Sequence, residues 1–239
     1  MKILMLHGSR QSGELFKAKI QAIEKLTKQA LKTEIEFIYP TAPFALEPQG
    51  EVSELRDRHG AWTWFQSVSL DSLNPGLEKS LDFIASILKI SGPFDGIIGF
   101  SQGAALGVMV AAILENYRDR EMAFRSFEAG GGMLYPASLG ECGHPPLKFV
   151  VSISGYVASH AAYRGFYEPA ICTPSLHYWG SLDTVVDEEA SMRLVNCCQG
   201  SEGAELAPCI IRHPGGHVVP SGKRQLVGIV HFMKSCMEE

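Results

Sequence analysis

Residues 95–114 read DGIIGFSQGAALGVMVAAIL, and this stretch decides the fold class. The apolar run at 95–100 predicts a buried strand, and the small apolar residues at 102–114 predict a helix buried on all sides. The turn between them is Gly99-Phe100-Ser101-Gln102-Gly103, a Gly-x-Ser-x-Gly pattern. Between a strand and a buried helix, this pattern is typical of a nucleophile elbow, a sharp turn that exposes a serine hydroxyl above the sheet edge. We therefore predict that Ser101 is a nucleophile.

Short apolar runs alternate with helical patterns on both sides of this stretch. Strands alternating with helices indicate a mostly parallel sheet that is covered on both faces. The sequence predicts one α/β domain over residues 1–239, with a mostly parallel central sheet, helices on both faces and no large cap domain. The further strands are predicted at 2–7, 34–39, 148–153, 175–179 and 208–212, and further helices at about 16–30, 77–88, 187–197 and 221–236.

Two segments, at about 45–75 and 119–146, do not follow the alternation and are interpreted as insertions. Long irregular insertions in a compact domain are usually functional or mobile. We expect both to wall the pocket beside the nucleophile, with the glycines at 130–132 letting the second segment move as a lid. A surface loop without function is the alternative for 119–146.

Composition and charge exclude several classes of protein. The chain has 239 residues, of which 46% are hydrophobic and 20% charged, as in a globular protein with a sizeable core. Its net charge of −5 and lack of a basic run argue against a nucleic-acid partner. No apolar stretch reaches the length of a membrane span, and the N-terminal one is too short for a signal peptide. We expect a cytoplasmic protein with six reduced cysteines and no metal or cofactor.

A nucleophilic serine needs a neutral imidazole as its base. In hydrolases built on the nucleophile elbow, the chain order is Ser, then Asp or Glu, then His. The two histidines that fit lie in Arg212-His213-Pro214-Gly215-Gly216-His217. His217 is the preferred base because it follows two glycines in the loop beyond the strand. His213 remains the alternative and otherwise reads as a packing residue at the strand end.

The residue that orients this base is expected just past the carboxyl end of a strand. Asp183 ends Gly180-Ser181-Leu182-Asp183, directly after the strand that finishes at Trp179. Asp187 is the alternative, but its position suggests the first turn of a helix, where a carboxylate is favourable without any catalytic role. The predicted triad is therefore Ser101, Asp183 and His217, which is the arrangement of an α/β-hydrolase fold.

Two backbone N–H groups should stabilise the oxyanion that forms during acyl transfer. One belongs to Gln102, the residue after the nucleophile. The other is expected from the turn after the first strand, where Ser9 is the preferred donor and Arg10 the alternative. His7, which precedes this turn, is more consistent with a packing or loop-bracing role than with a base.

These local sequences together resemble one known family. They are Leu6-His7-Gly8, Gly99 to Gly103, Gly180 to Asp183 and Gly216-His217, and the chain resembles the family of serine hydrolases (FSH) of fungi and other eukaryotes. The aromatic segment Ala61-Trp62-Thr63-Trp64-Phe65 is similar to one that precedes the elbow in that family. The resemblance implies an intracellular carboxylesterase or thioesterase without metal or cofactor. Some fungal members release a finished polyketide from an acyl carrier protein.

We accordingly expect hydrolysis of an acyl ester or thioester through an acyl-enzyme, with an acyl carrier protein as a candidate partner. Trp62, Trp64 and Phe65 are the expected substrate contacts, because large apolar faces suit an acyl chain. Burial in the core is the alternative for both tryptophans. A general carboxylesterase for small esters is the alternative function, and a catalytically inactive binding module of the same fold is a third hypothesis.

Overall fold

The computed structural model describes residues 1–47, 60–67, 69, 71–115, 117–198 and 208–238. The strands are Lys2–Leu6 (β1), Glu36–Ile38 (β2), Phe44–Leu46 (β3), Ala61–Thr63 (β4), Gly96–Phe100 (β5), Phe149–Ile153 (β6), Ser175–Gly180 (β7) and Cys209–His213 (β8). The centre of the structure is a six-stranded, wholly parallel sheet with the strand order β2-β1-β5-β6-β7-β8. A second, two-stranded antiparallel sheet joins β3 to β4.

Helices cover both faces of the central sheet, which confirms the predicted α/β architecture. The described helices are Gly13–Leu31 (α1), Leu77–Ser91 (α2), Gln102–Glu115 (α3), Tyr117–Glu128 (α4), Ala137–Gly140 (α5), Arg164–Tyr167 (α6), Glu188–Cys197 (α7) and Lys223–Glu238 (α8), with a 3-10 turn at Ala161–Tyr163. None of these helices combines the length and apolar character needed to cross a membrane.

Alternating side chains of β1 divide the core into two layers, as the two-residue period of a strand requires. Ile3 and Met5 pack with residues of α1 and α8 on one face. Leu4 and Leu6 pack with α2 and α3 on the other face. Every residue of α3 from Gln102 to Leu114 is buried, so this helix lies inside the protein as its small apolar composition predicts.

The two segments interpreted as insertions have more structure than the sequence predicts. Residues 48–59, 68 and 70 of the first segment lie outside the described residues. The remainder holds β4 and most of β3, which pair with each other. The second segment is helical over much of its first half, as α4, where an irregular loop was expected. The correction has a physical basis in Arg120 and Phe124, the buried side chains of this helix.

Both side chains fix α4 to the body of the protein. The Arg120 guanidinium donates hydrogen bonds to the carbonyls of Ala112 (3.1 Å) and Phe166 (3.2 Å). The ring of Phe124 packs edge-to-face on Phe166, with 4.9 Å between the ring centroids. The start of this segment is therefore anchored in the core, which argues against its movement as a lid.

Candidate active site

The elbow turn places Ser101 in a left-handed backbone conformation, with φ of 52°. Such a conformation is uncommon for a residue other than glycine and marks a position held by its surroundings. The Ser101 N–H donates to the carbonyl of Ile153 at 2.8 Å, which fixes the turn to β6. Glycine is required on both sides: a Cβ at Gly99 would lie 2.4 Å from the Gly103 carbonyl oxygen, and one at Gly103 would lie 2.3 Å from the Leu6 carbonyl oxygen.

The imidazole of His217 reaches this serine from the loop after β8. Its Nε2 lies 2.9 Å from the Ser101 Oγ. The ring also packs on Phe100, with 4.9 Å between ring centroids. The backbone of the loop that carries His217 is tied to the loop after β7, because Leu182 N–H donates to the Gly215 carbonyl at 2.9 Å. The two loops that carry His217 and Asp183 thus support each other.

The carboxylate of Asp183 orients this imidazole. Its Oδ2 lies 2.7 Å from Nδ1 of His217, and its Oδ1 accepts the N–H groups of Val185 and Val186, both at 2.9 Å. The side chain is fully buried. Burial alone would raise the pKa of Asp183, but the hydrogen bonds from Val186, His217 and Val185 outweigh it and hold the pKa below its usual value.

This arrangement sets the proton positions on the His217 imidazole. An ionised carboxylate can only accept, so Nδ1 of His217 carries a proton and donates it to Asp183. In the neutral imidazole, Nε2 is then left as an acceptor for the Ser101 hydroxyl. The chain Ser101–His217–Asp183 therefore has the donor and acceptor order needed to remove the serine proton.

The two alternatives from the sequence lie in other environments. Asp187 caps the N-terminus of α7, with its Oδ1 accepting the N–H of Ala190 at 2.8 Å. His213 is buried at the end of β8 and stacks on Tyr178, with 4.8 Å between centroids. Burial lowers the pKa of His213, an effect that the charge of Asp183 partly offsets. Neither side chain hydrogen-bonds to Ser101 in the described structure.

The candidate oxyanion donors lie on either side of the nucleophile. In the described part of the chain, the N–H groups of Ser9 and Gln102 donate no hydrogen bond and are available to a substrate oxygen. The N–H of Arg10 donates to the carbonyl of Trp62 at 2.8 Å, so this alternative donor is already engaged. The geometry therefore favours Ser9 over Arg10 as the partner of Gln102.

His7 braces the turn that carries Ser9. Its Nε2 accepts the N–H of Ala42 at 3.0 Å, and its Nδ1 donates to the carbonyl of Gly8 at 2.8 Å. The ring is fully buried, and this burial lowers the pKa of His7 to about 4. A histidine that is neutral at physiological pH and engaged at both nitrogens is a structural brace rather than a base.

A pocket of about 350 Å³ opens beside Ser101. This volume lies at the small end of the range for ligand sites. Its wall is largely apolar, and its rim carries Arg10, Gln66 and Ser67, all of them exposed. The apolar wall consists of Leu46, Phe65, Tyr156, Val185 and Val186.

Within the described residues, no group of three His, Cys, Asp or Glu side chains is arranged to hold a metal ion.

The family model described as serine hydrolase (FSH1) matches residues 1–229 of the chain. The chain belongs to this family. Esterase OVCA2 of Danio rerio is 30% identical over 253 residues, covering 98% of this chain and 96% of that protein. Family of serine hydrolases 3 of Saccharomyces cerevisiae is 29% identical, covering 93% and 79%. The chain is therefore a serine hydrolase of the esterase type.

A third relative is longer. The dihydrofolate reductase of Schizosaccharomyces pombe is 31% identical over 247 residues, and the match covers 98% of this FSH1-family chain. The chain spans 47% of the length of that relative.

Solved structures support the fold assignment. Arabidopsis thaliana SOBER1 matches with a TM-score of 0.63 at 18% identity, covering 99% of each chain. Zea mays acyl-protein thioesterase 2 matches with a TM-score of 0.57 at 19% identity, covering 99% of this chain and 93% of that one. At this level of identity the likeness concerns the α/β-hydrolase fold.

The aromatic segment of this FSH1-family chain meets the pocket at one of its three expected residues. Phe65 lines the pocket, whereas Trp62 and Trp64 do not. Trp64 is fully buried, and its indole N–H donates to the His7 carbonyl at 2.8 Å. Trp62 is partly buried and acts through its backbone, which pairs with Gln11 and Arg10 beside the oxyanion turn. The substrate-contact expectation for the two tryptophans is therefore corrected to a bracing role.

The second segment, 119–146, also stays away from the pocket, since none of its residues lines the cavity. The wall is completed instead by residues outside the recognised sequence motifs, notably Tyr156, Val185 and Val186. A signal for them exists: Tyr156 follows the carboxyl end of β6, and the two valines follow the loop after β7. Side chains at these strand ends gather at the ligand site of an open α/β sheet.

The side chain of Gln102 fixes the pocket wall to the elbow. Its Oε1 accepts the Trp64 N–H and the Thr63 hydroxyl, both at 2.8 Å, and its Nε2 donates to the Phe65 carbonyl at 2.8 Å. The Ser9 hydroxyl approaches the Thr63 hydroxyl at 3.4 Å. One buried amide thus links the nucleophile turn, the wall and the oxyanion turn.

We expect Gln102→Leu to lower the free energy of unfolding by about 1 to 3 kcal/mol. The leucine leaves the buried Trp64 N–H without a partner, and one unsatisfied buried group costs about 1–3 kcal/mol, whereas the Phe65 carbonyl still accepts the Thr63 hydroxyl at 2.8 Å. Urea denaturation measures the loss. Gln66→Leu is the matched control: Gln66 is exposed, so its replacement should change stability by less than about 0.5 kcal/mol. Equal stability of the two variants would show that the Gln102 amide does not fix the wall.

Proposed function

We propose that this protein hydrolyses acyl esters or thioesters through a covalent acyl-enzyme, with Ser101 as nucleophile, His217 as base and Asp183 as the orienting residue. The observation that carries the proposal is the hydrogen-bonded chain from the Ser101 Oγ to His217 (2.9 Å) and on to Asp183 (2.7 Å). It begins at a serine in a constrained turn that lines a pocket.

The reaction has two halves. In the first, Nε2 of His217 takes the hydroxyl proton as the Ser101 Oγ attacks the substrate carbonyl carbon. The negative oxygen is held by the N–H groups of Ser9 and Gln102, and the N-terminus of α3 adds to the favourable field. The bond to the leaving group then breaks, and the proton on His217 passes to the departing alcohol or thiol.

In the second half, a water molecule takes the place of the leaving group. His217 removes a proton from the water, whose oxygen attacks the acyl carbon of the acyl-Ser101 ester. The tetrahedral intermediate collapses, the proton returns to the Ser101 oxygen and the free acid leaves. Throughout, the charge of Asp183 stabilises the imidazolium form of His217.

The pocket supports an acyl group of short to medium length. Leu46, Phe65 and Tyr156 offer apolar surface beside Ser101, and burial of each methylene contributes about 0.8 kcal/mol. The exposed rim leaves space outside the pocket for a large leaving group. The proposal therefore includes an acyl chain of fatty or polyketide type carried as a thioester on an acyl carrier protein, beside small carboxylic esters.

A series of p-nitrophenyl esters tests the proposal. We expect kcat/KM to rise about fourfold per methylene from acetate to butyrate, the factor that 0.8 kcal/mol represents, and then to level off as the pocket fills. Butyryl N-acetylcysteamine tests the thioester. A fluorophosphonate probe should label the protein once and abolish both activities. Absence of labelling and of turnover on every substrate would overturn the proposed function.

A further inference from the structure

The pocket beside Ser101 has a positively charged side chain at its rim. Among its described lining residues, Arg10 is the only charged side chain, and no carboxylate lines the cavity. Arg10 is exposed, and in the described part of the chain its guanidinium forms no ion pair or hydrogen bond with the protein. Its donors are therefore available to a ligand.

The backbone holds this arginine at the pocket rim. Arg10 has a φ of 62°, the left-handed conformation that residues other than glycine rarely adopt. Its N–H donates to the Trp62 carbonyl at 2.8 Å, and Gln11 forms an antiparallel bridge with Trp62. Unusual backbone conformations held by their surroundings are often found at ligand sites. Arg10 is thus fixed directly after Ser9, the proposed oxyanion donor.

We propose that Arg10 binds an anionic group on the substrate, so that the pocket prefers acyl esters or thioesters that carry a carboxylate or phosphate. This inference rests on the proposed function. The planar guanidinium presents paired N–H donors that match the oxygens of either group. The chain as a whole has a net charge of −5, which disfavours anions in general. Selection of an anionic substrate therefore needs a local cation, and Arg10 supplies it.

Two substrate pairs distinguish the position of the anion. For a carboxylate on the acyl chain, mono-p-nitrophenyl adipate is compared with p-nitrophenyl hexanoate, which has the same number of chain carbons. For a phosphate on the leaving group, hexanoyl 4′-phosphopantetheine is compared with hexanoyl pantetheine. In each pair the readout is the ratio of kcat/KM for the anionic substrate to that for the neutral one.

In the wild type, this ratio should exceed one in at least one pair and fall as ionic strength rises, because an exposed charge is screened by salt. Arg10→Asn should lower the ratio by about tenfold, the effect of losing one charge-assisted hydrogen bond. Asparagine is chosen because it tolerates the left-handed backbone. Arg10→Lys, which keeps the charge, should lose less. Arg125→Ala removes an exposed arginine of α4 that lies away from the pocket, and should leave the ratio unchanged.

Two results would overturn the inference alone. One is an unchanged ratio in both pairs for Arg10→Asn, while the neutral esters are still hydrolysed. The other is an equal loss of activity on anionic and neutral substrates, which would mean that Arg10 only shapes the oxyanion turn. Failure of the wild type to hydrolyse any substrate, with no phosphonate labelling, would instead overturn the proposed function.

Discussion

Replacing Ser101 with alanine is expected to lower kcat by about 10⁴-fold to 10⁶-fold on every ester and thioester. The alanine removes the only oxygen within hydrogen-bond distance of Nε2 of His217 in the described structure. The fold should be retained, because the N–H of residue 101 still donates to the Ile153 carbonyl and no larger side chain enters the turn.

The measurement combines turnover with covalent labelling. Wild-type protein treated with a fluorophosphonate should gain the mass of one phosphonyl group, and Ser101→Ala should gain none. Ser126→Ala is the matched control: this exposed serine of α4 donates its hydroxyl to the Ala123 carbonyl and has no imidazole partner among the described residues. Labelling that persists in Ser101→Ala would assign the nucleophile to another residue.

Sequence patterns predicted the central fold well because each strand and helix is specified locally. The run at 95–100 corresponds to β5, and the apolar residues of 102–114 lie in α3, whose all-round burial follows from its composition. Parallel strands buried on both faces must be apolar throughout, so the pattern is strong wherever the sheet exists. The confirmed α/β class follows from this repetition.

The outer elements were predicted less well, because their structure depends on contacts between distant residues. Helix α4 has a mostly polar sequence, and its position depends on Arg120, whose guanidinium reaches Phe166 in another segment. Similarly, the sequence leaves Trp64 as either a substrate contact or a core residue. The choice depends on its N–H, carbonyl and indole, which pair with Gln102, Ser80 and His7. No local pattern encodes such partners.

The candidate site was predictable to the extent that chain order and strand ends specify it. Ser101, Asp183 and His217 each follow the carboxyl end of a parallel strand, and these ends meet at one edge of the sheet. The sequence preferred Ser9 to Arg10 as oxyanion donor, but the physical reason lies outside any local pattern, because the Arg10 N–H is already engaged by the Trp62 carbonyl. The catalytic roles of Ser101, Asp183 and His217, and of Ser9 as oxyanion donor, stay predictions.

Asp183→Asn is expected to lower kcat by about 10⁴-fold while leaving the fold intact. The reason lies in the two hydrogen bonds that Oδ1 of Asp183 accepts from Val185 and Val186. In the variant, the amide oxygen of asparagine should keep these two donors, since the amide nitrogen cannot accept them. The NH₂ group then faces Nδ1 of His217 at the place of the present 2.7 Å contact.

An NH₂ group at that place requires Nδ1 of His217 to accept, so the imidazole proton moves to Nε2. In this tautomer Nε2 cannot take the Ser101 proton, and nucleophilic attack fails although every side chain is in position. Asp187→Asn is the matched control, because asparagine caps a helix as well as aspartate does and keeps the bond to the Ala190 N–H. Steady-state kinetics on p-nitrophenyl butyrate compares the two variants. Full activity of Asp183→Asn with loss in Asp187→Asn would transfer the orienting role to Asp187.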